Sequence, residues 1–452
     1  MKQTVILLAC IACVGTTYAA TTNLVVERFP FFVPDGARES EYIYGHVSEG
    51  TTSYCQLTGG YGVQIARVDG LGGTLVDNQL VAPSNWLAAS GQTGCTTFYG
   101  LDLWGDYLQF GDTFSKQIWR VHKVTGDLAL HISRDAITNA LGITTLNWTS
   151  ANMTDRRDGA VIFYESGSRR VIRAMSTNDI TTFISAQDLS NAFGFAVIAG
   201  GITIDANGMF YASSGTSGAT RFVFRRDTTN GLHVVLPTAV ISNLVKESSI
   251  IIQDIFYAAD GRVYLAVSRS QNVNNILRFD PSDPAGTLEM VLDKDQLAAA
   301  VSGNQVSSFD WNGGLTWHTH QLRKGVYSYM TDLRPTLVIS GDAEVPEYST
   351  NIPYTCFFRL TNQYGGAVQY DHTSTATWSI VGAPPDGVTL DGNLLSVETL
   401  LSSTVITLEA ASNFGTLSAT GRYDVALVPE PALVYVLVLA GTVMRLRRSA
   451  SA

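Results

Sequence analysis

Short apolar runs that close on an arginine recur along most of the chain. Val63-Gln64-Ile65-Ala66-Arg67, Gln117-Ile118-Trp119-Arg120, Arg170-Val171-Ile172-Arg173, Phe222-Val223-Phe224-Arg225 and Asn275-Ile276-Leu277-Arg278 share this form, about 53 positions apart. A turn glycine stands upstream of each: Gly50, Gly105, Gly159, Gly208 and Gly261, with Gly314 as the sixth of the series. Asp158-Gly159, Asn207-Gly208 and Asp260-Gly261 are pairs of the kind that supply the positive φ of tight hairpins. Strand-like runs follow at once, as in Met209-Phe210-Tyr211-Ala212 and Arg262-Val263-Tyr264-Leu265-Ala266-Val267.

Each unit therefore predicts a strand, a glycine turn, a second strand, a polar loop, a third strand carrying the arginine, a turn such as Thr125-Gly126-Asp127, and a fourth strand. Four strands in a repeat of this length predict one blade of a β-propeller, and six turn glycines predict six blades over 23–332. A solenoid would favour a shorter period. The sixth unit lacks a fourth strand before Pro335, and Asn23-Leu24-Val25-Val26-Glu27-Arg28-Phe29 is left over at the start. That segment is expected to complete the last blade and close the ring, which removes open sheet edges. Segments 133–142, 186–194 and 293–300 read as short capped helices between blades. In architecture the repeat resembles the six-bladed propellers of the NHL and gluconolactonase-like superfamily, although no motif in it is specific to one of those families. The arginines recur by symmetry and are expected to be structural, pairing with neighbouring blades.

Near Pro335 the period stops. Seven short alternating strands follow over 335–427, separated by turns such as Pro384-Pro385-Asp386-Gly387 and Asp391-Gly392. They predict a small sandwich with Trp378 in its core. The run from Ala376-Thr377-Trp378 through Asp391-Gly392-Asn393 to Val405-Ile406-Thr407 resembles bacterial immunoglobulin-like repeats of surface proteins. The resemblance implies a stalk.

The two ends carry a different pattern. Lys2 precedes an apolar run from Thr4 to Val14, and Thr17-Tyr18-Ala19 supplies small residues for cleavage, so 1–19 reads as a secretory signal helix. Residues 428–452 hold Val428-Pro429-Glu430-Pro431, an uncharged run from Ala432 to Met444, and a cluster with Arg445, Arg447 and Arg448. The prolines stop regular structure. The run is short of the roughly 20 residues of a full span, and snorkelling arginines extend it. Stop, apolar segment and basic end, in that order, resemble the PEP-CTERM sorting signal of Gram-negative bacteria. The resemblance implies a C-terminal transmembrane helix, an exosortase as processing partner, and passage through the inner membrane to the cell surface or the extracellular matrix. It also implies extracellular polysaccharide or other surface proteins as partners.

Composition fits an exported all-β chain, with only 15% charged residues and 41 glycines. A formal net charge of −10 argues against nucleic acid as a partner. In an oxidising compartment Cys55 and Cys95 are a candidate disulfide, and Cys356 lies in an apolar strand as a thiol without a partner.

Chemistry is sparse. His318 and His320 share one face of a strand and, with Asp310 nearby, form a candidate metal set. Asp102, Asp155, Asp205, Asp254 and Asp310 recur near blade turns, where they could gather at the channel mouth and hold Ca²⁺, or simply cap turns. Trp86, Trp104, Trp148, Trp311 and Trp317 suit sugar stacking or blade packing. No nucleophile elbow, phosphate loop, zinc-protease helix or glycosidase signature is present. The expected function is a surface-exposed binding or structural propeller without a cofactor. The alternative is a secreted metal-dependent propeller enzyme, of lactonase or lyase type, acting on a sugar-derived substrate.

Overall fold

The computed structural model describes residues 7–8, 23–30, 42–50, 52–58, 64–69, 79–91, 98–112, 114–197, 199–214, 221–268, 274–301, 306–319, 325–399, 402–415 and 417–429. The chain forms two compact units, Met1–Thr331 and Asp332–Ala452.

The first unit consists of six antiparallel sheets. Blade 1 runs through Tyr42–Glu49, Thr52–Thr58, Gln64–Asp69 and Gln79–Val81. Blade 2 runs through Phe98–Trp104, Tyr107–Asp112, Gln117–His122 and Leu128–Ile132. Blade 3 is Trp148–Thr154, Val161–Glu165, Arg170–Ser176 and Asp179–Ile184. Blade 4 is Ala199–Ile204, Phe210–Ser214, Val223–Arg226 and Leu232–Leu236. Blade 5 is Ile251–Tyr257, Val263–Ser268, Asn274–Phe279 and Glu289–Leu292. Blade 6 has Val306–Trp311, Leu315–Thr319 and Gly325–Met330, and takes its fourth strand from Asn23–Pro30. Leu24 stands opposite Met330 and Val25 opposite Tyr329. The first strand of each blade packs on the first strand of the next, and Val306–Trp311 returns to Tyr42–Glu49, so the propeller-like ring closes.

The core lies between blades. Six buried apolar clusters occupy the six junctions; one, for example, joins Ile118, Ile132 and Ile137 of blade 2 and its following helix to Val161, Phe163 and Ile172 of blade 3. A second strand therefore has a neighbour on each face, and Val161–Glu165, Phe210–Ser214 and Val263–Ser268 are buried at every position. This is why those segments read as continuous apolar runs. Fourth strands are largely exposed or half-buried instead, because their outer edge meets water: Leu130 and Val234 are exposed, while Ile132 and Leu236 close the strand in the core.

Among the described residues five short helices follow the fourth strands, two more than the caps predicted. Ser133, Ser185 and Asp293 cap the expected three through side-chain hydrogen bonds. Pro83–Ser90 and Thr238–Val245 start after Ala82 and Pro237, which make no such bond; Pro83 at the first position is the start signal of the former. Each helix buries its fourth residue, namely Trp86, Ile137, Leu189, Ile241 and Leu297.

Several expectations are corrected. The repeated arginines bond within their own blade: Arg120 Nε donates to Gln109 at 2.7 Å, Arg278 Nε to Glu289 at 2.6 Å, and Arg173 to Asp158. A third strand is flanked by the second and fourth strands of its own sheet, and these are the closest partners for its long side chains. In the sixth turn the positive φ falls on Gly313 (66°) rather than on Gly314, whose added Cβ would lie 2.5 Å from the Tyr329 carbonyl oxygen. At the N-terminus Leu7–Leu8 is not helical. It pairs antiparallel with Leu24 and Asn23, where the open edge of the outermost blade 6 strand offers backbone partners. No helix among the described residues is long and apolar enough to cross a membrane, and the apolar run from Ala432 to Met444 lies outside them.

Among its described residues the second unit has ten strands in three sheets, more than the seven expected. Arg334–Ser340, Thr355–Thr361 and Ala367–Asp371 form one sheet. Thr404–Phe414 and Leu417–Val428 form a long hairpin flanked by Thr377–Ile380 and by Glu344–Pro346, the latter parallel. Ser349–Pro353, Leu394–Val397 and Val388–Asp391 form the third sheet. Trp378 is only half-buried; its Nε1 donates to the Thr373 carbonyl at 3.2 Å. Tyr354, Phe358, Leu395 and Leu408 are fully buried in its place, and Phe414 stacks on Tyr370 at 4.8 Å. Trp378 sits on a short flanking strand, so its ring has a sheet neighbour on one side alone.

Gly159 joins turn geometry to blade packing. Its φ is +82°, and a Cβ there would lie 2.4 Å from the Trp104 indole of the preceding blade. Gly159→Ala is expected to destabilise the ring by about 2 kcal/mol or more, read as a lower urea midpoint at unchanged slope.

Candidate functional site

The inner strands enclose a cavity of about 740 Å³, lined from blades 1 to 6 by residues that include His46, Asp102, Arg156, Gly201, Asp254 and His318. Inner strands run side by side without pairing, so their backbone N–H groups need other acceptors. Side chains of the preceding blade supply them. Asp102 Oδ2 accepts from Thr154 N at 2.8 Å, Thr203 Oγ1 from Tyr257 N at 2.9 Å, Asp254 Oδ2 from Phe309 N at 3.2 Å and Asp310 Oδ2 from Ser48 N at 2.6 Å. These bonds latch four of the six junctions.

Arg156 reaches across the ring from the turn after the first strand of blade 3. One nitrogen donates to Asp310 Oδ1 at 2.6 Å and to Asp102 Oδ1 at 3.4 Å, and the guanidinium carbon lies 6.0 Å from the centre of the Phe256 ring. The Asp310 charge, followed by that of Asp102, holds Arg156 even more firmly protonated than usual. Burial pushes Asp102 up to about 6 against the pull of Arg156. It pushes Asp254 up to about 7, because only two backbone N–H groups support its charge and Asp102 repels it.

The five aspartates thus divide. Asp102, Asp254 and Asp310 latch blades. Asp155 is bound by Arg157 at 2.6 Å, and Asp205 accepts from Asn207 N and Met209 N, so both shape their own turns. Each oxygen of the three latching carboxylates already accepts a hydrogen bond, which makes them a poor cage for Ca²⁺. Among the described residues no group of three or more His, Cys, Asp or Glu is placed to hold a metal.

His318 faces inward from the second strand of blade 6, buried, and meets His46 of blade 1 with Nδ1 atoms 3.3 Å apart. Ser308 Oγ lies 3.3 Å from His46 Nδ1 and 3.2 Å from His318 Nδ1. Thr316 Oγ1 is 3.1 Å from His46 Nε2. Burial keeps His46 neutral, with its pKa lowered to about 4. His320 lies outside the described residues, and Asp310 is engaged by Arg156 and Ser48. Sequence reasoning missed His46, Ser308 and Arg156. Arg156 carried a signal, since Asp155-Arg156-Arg157-Asp158-Gly159 is far more charged than the matching Asp205-Ala206-Asn207-Gly208. His46 and Ser308 carried none.

The other candidates are placed as follows. Trp86 and Trp317 are buried between blades. Cys55 is a free thiol buried at the junction of blades 6 and 1, its pKa pushed up by burial, while Cys95 lies outside the described residues. Cys356 is a free buried thiol. Val428 ends the last strand of the second unit and Pro429 follows it; Glu430, Pro431, Arg445, Arg447 and Arg448 lie outside the described residues.

No family model and no curated protein matches the chain. Similar solved structures include a chain of a nidogen/laminin complex, at 11% identity, covering 64% of this chain and 99% of that one, with a TM-score of 0.40. A protein of unknown function from Bacteroides thetaiotaomicron has 10% identity, covers 69% and 76%, and has a TM-score of 0.46. The PQQ-bound aldose sugar dehydrogenase of Streptomyces coelicolor has 13% identity, covers 53% and 95%, and has a TM-score of 0.29.

Asp254 gives the ring a pH signature. Its folded pKa of about 7 lies above the ordinary aspartate value of 3.8. The associated stability is present in acid and is lost as pH rises from about 4 through about 7. Relative to Asp254→Asn, the wild type is expected to lose several degrees of Tm between pH 5 and pH 8. Parallel thermal melts check this, and the opposite dependence from His46 cancels in the difference.

Proposed function

We propose that this chain is an exported surface protein whose ring acts as a binding or structural module and whose second unit is an immunoglobulin-like stalk. The observation that carries the non-catalytic reading is the use of the channel carboxylates. Asp102 and Asp310 spend their oxygens on the backbone of the next blade and on Arg156, and Asp254 spends its own on the backbone N–H groups of Phe309 and Ile255. An enzyme of lactonase or lyase type would need such oxygens for a metal or for proton transfer.

The sequence of the two ends supports the address. Residues 1–19 have the form of an export signal, and 428–452 have the form of a PEP-CTERM signal with an apolar segment that would hold the chain in the inner membrane of a Gram-negative bacterium until an exosortase acts. Val428 pairs with Pro346 and accepts from Glu347 N at 2.9 Å. Cleavage beyond Pro429 would therefore leave the last sheet whole. Extracellular polysaccharide or other surface proteins are the partners this address offers.

Expression of the full chain in an exosortase-bearing host and in its exosortase-deletion strain tests the proposal. Release of a protein that lacks Arg445–Arg448, as read by mass spectrometry of its C-terminus, is expected only in the first strain. Glu430→Ala is expected to hold the chain in the membrane fraction of both. Equal release from both strains with the tail intact overturns the reading.

A further inference from the structure

The His46, His318 and Ser308 cluster lies outside the sorting signal and the aspartate latches. Its three facing atoms, His46 Nδ1, His318 Nδ1 and Ser308 Oγ, form a nearly equilateral triangle with sides of 3.3, 3.2 and 3.3 Å. Ligand atoms about 2.0–2.1 Å from a tetrahedral metal stand about 3.3 Å from one another. All three residues line the cavity, so a fourth position on the channel side stays open to water or a ligand.

Thr316 Oγ1 lies 3.1 Å from His46 Nε2 and can accept its hydrogen. In that tautomer Nδ1 presents a lone pair to the triangle. A metal at the apex would take one lone pair from each of the three atoms. Thr316 then does what outer partners do at histidine sites, fixing tautomer and ring orientation. Nearby, Asp102 and Asp310 outnumber Arg156 in charge, which favours a cation.

We propose that His46 Nδ1, His318 Nδ1 and Ser308 Oγ bind one divalent transition metal of the Zn²⁺ or Cu²⁺ class, with an open coordination position facing the channel. Imidazole nitrogens suit these ions, whereas Ca²⁺ and Mg²⁺ require oxygen cages. The site is separate from the sorting reading, and neither depends on the other.

Titration of the metal-free full chain with ZnCl₂ and CuSO₄ by calorimetry tests it, together with the electron paramagnetic resonance spectrum of the Cu²⁺ form. The expected result is one ion per chain, with hyperfine coupling to two imidazole nitrogens. His46→Gln is expected to weaken binding at least 100-fold and Ser308→Ala about tenfold, whereas His233→Ala, on an exposed outer strand, leaves it unchanged. Ser308→Ala removes one atom from a part-buried site, so it keeps the test valid even where His46→Gln fails to fold. Absence of stoichiometric binding, or affinity unchanged in a folded Ser308→Ala protein, overturns the proposal and leaves a proton-sharing histidine pair.

Discussion

A blade of four strands has two apolar faces and cannot bury either alone, so every sheet in the ring depends on the sheet before it and the sheet after it. The six clusters at the six junctions are the physical form of that dependence. Closure follows from it. Without a fourth strand the third strand of blade 6 would end in open backbone, and Asn23–Pro30 supplies the partner. About three hundred residues of sequence separation are spanned by this pairing, at an entropic cost that grows only slowly with loop length.

The same closure forces the chemistry of the channel. Inner strands of neighbouring blades are not paired in a ladder, and their N–H groups turn to side chains. Aspartate and threonine fill that role at four junctions. Burial makes these carboxylates resist ionisation, which raises Asp102 and Asp254, and one guanidinium offsets part of the charge on Asp102. The channel is thus polar for architectural reasons first. The histidine and serine triangle differs, since its bonds run between side chains across the junction of blades 6 and 1.

Much of this ring was legible beforehand. A spacing of about 53 residues, Asp-Gly and Asn-Gly turns and the surplus strand at the start led to six blades and to their closure, because local turn chemistry and strand pattern repeat with the fold. Helices opened by Ser133, Ser185 and Asp293 were legible for the same reason, while those after Ala82 and Pro237 were missed, having no capping side chain. The arginines were seen, yet their partners were misread. Period reveals that a residue recurs; which neighbour it touches depends on the sheet it sits in.

The site shows the limit most plainly. His46 and His318 lie 272 positions apart and touch only because blade 6 returns to blade 1. Local pattern carries no trace of such a meeting. By itself the amino-acid order determined the number of blades and the strand that closes them, both of which are written in short-range periodicity and composition. Only the tertiary structure decided which aspartates hold the ring, that Arg156 crosses it, and that two histidines and a serine share one corner of the channel. Those contacts are made by ring closure, which brings together atoms that the chain itself keeps far apart.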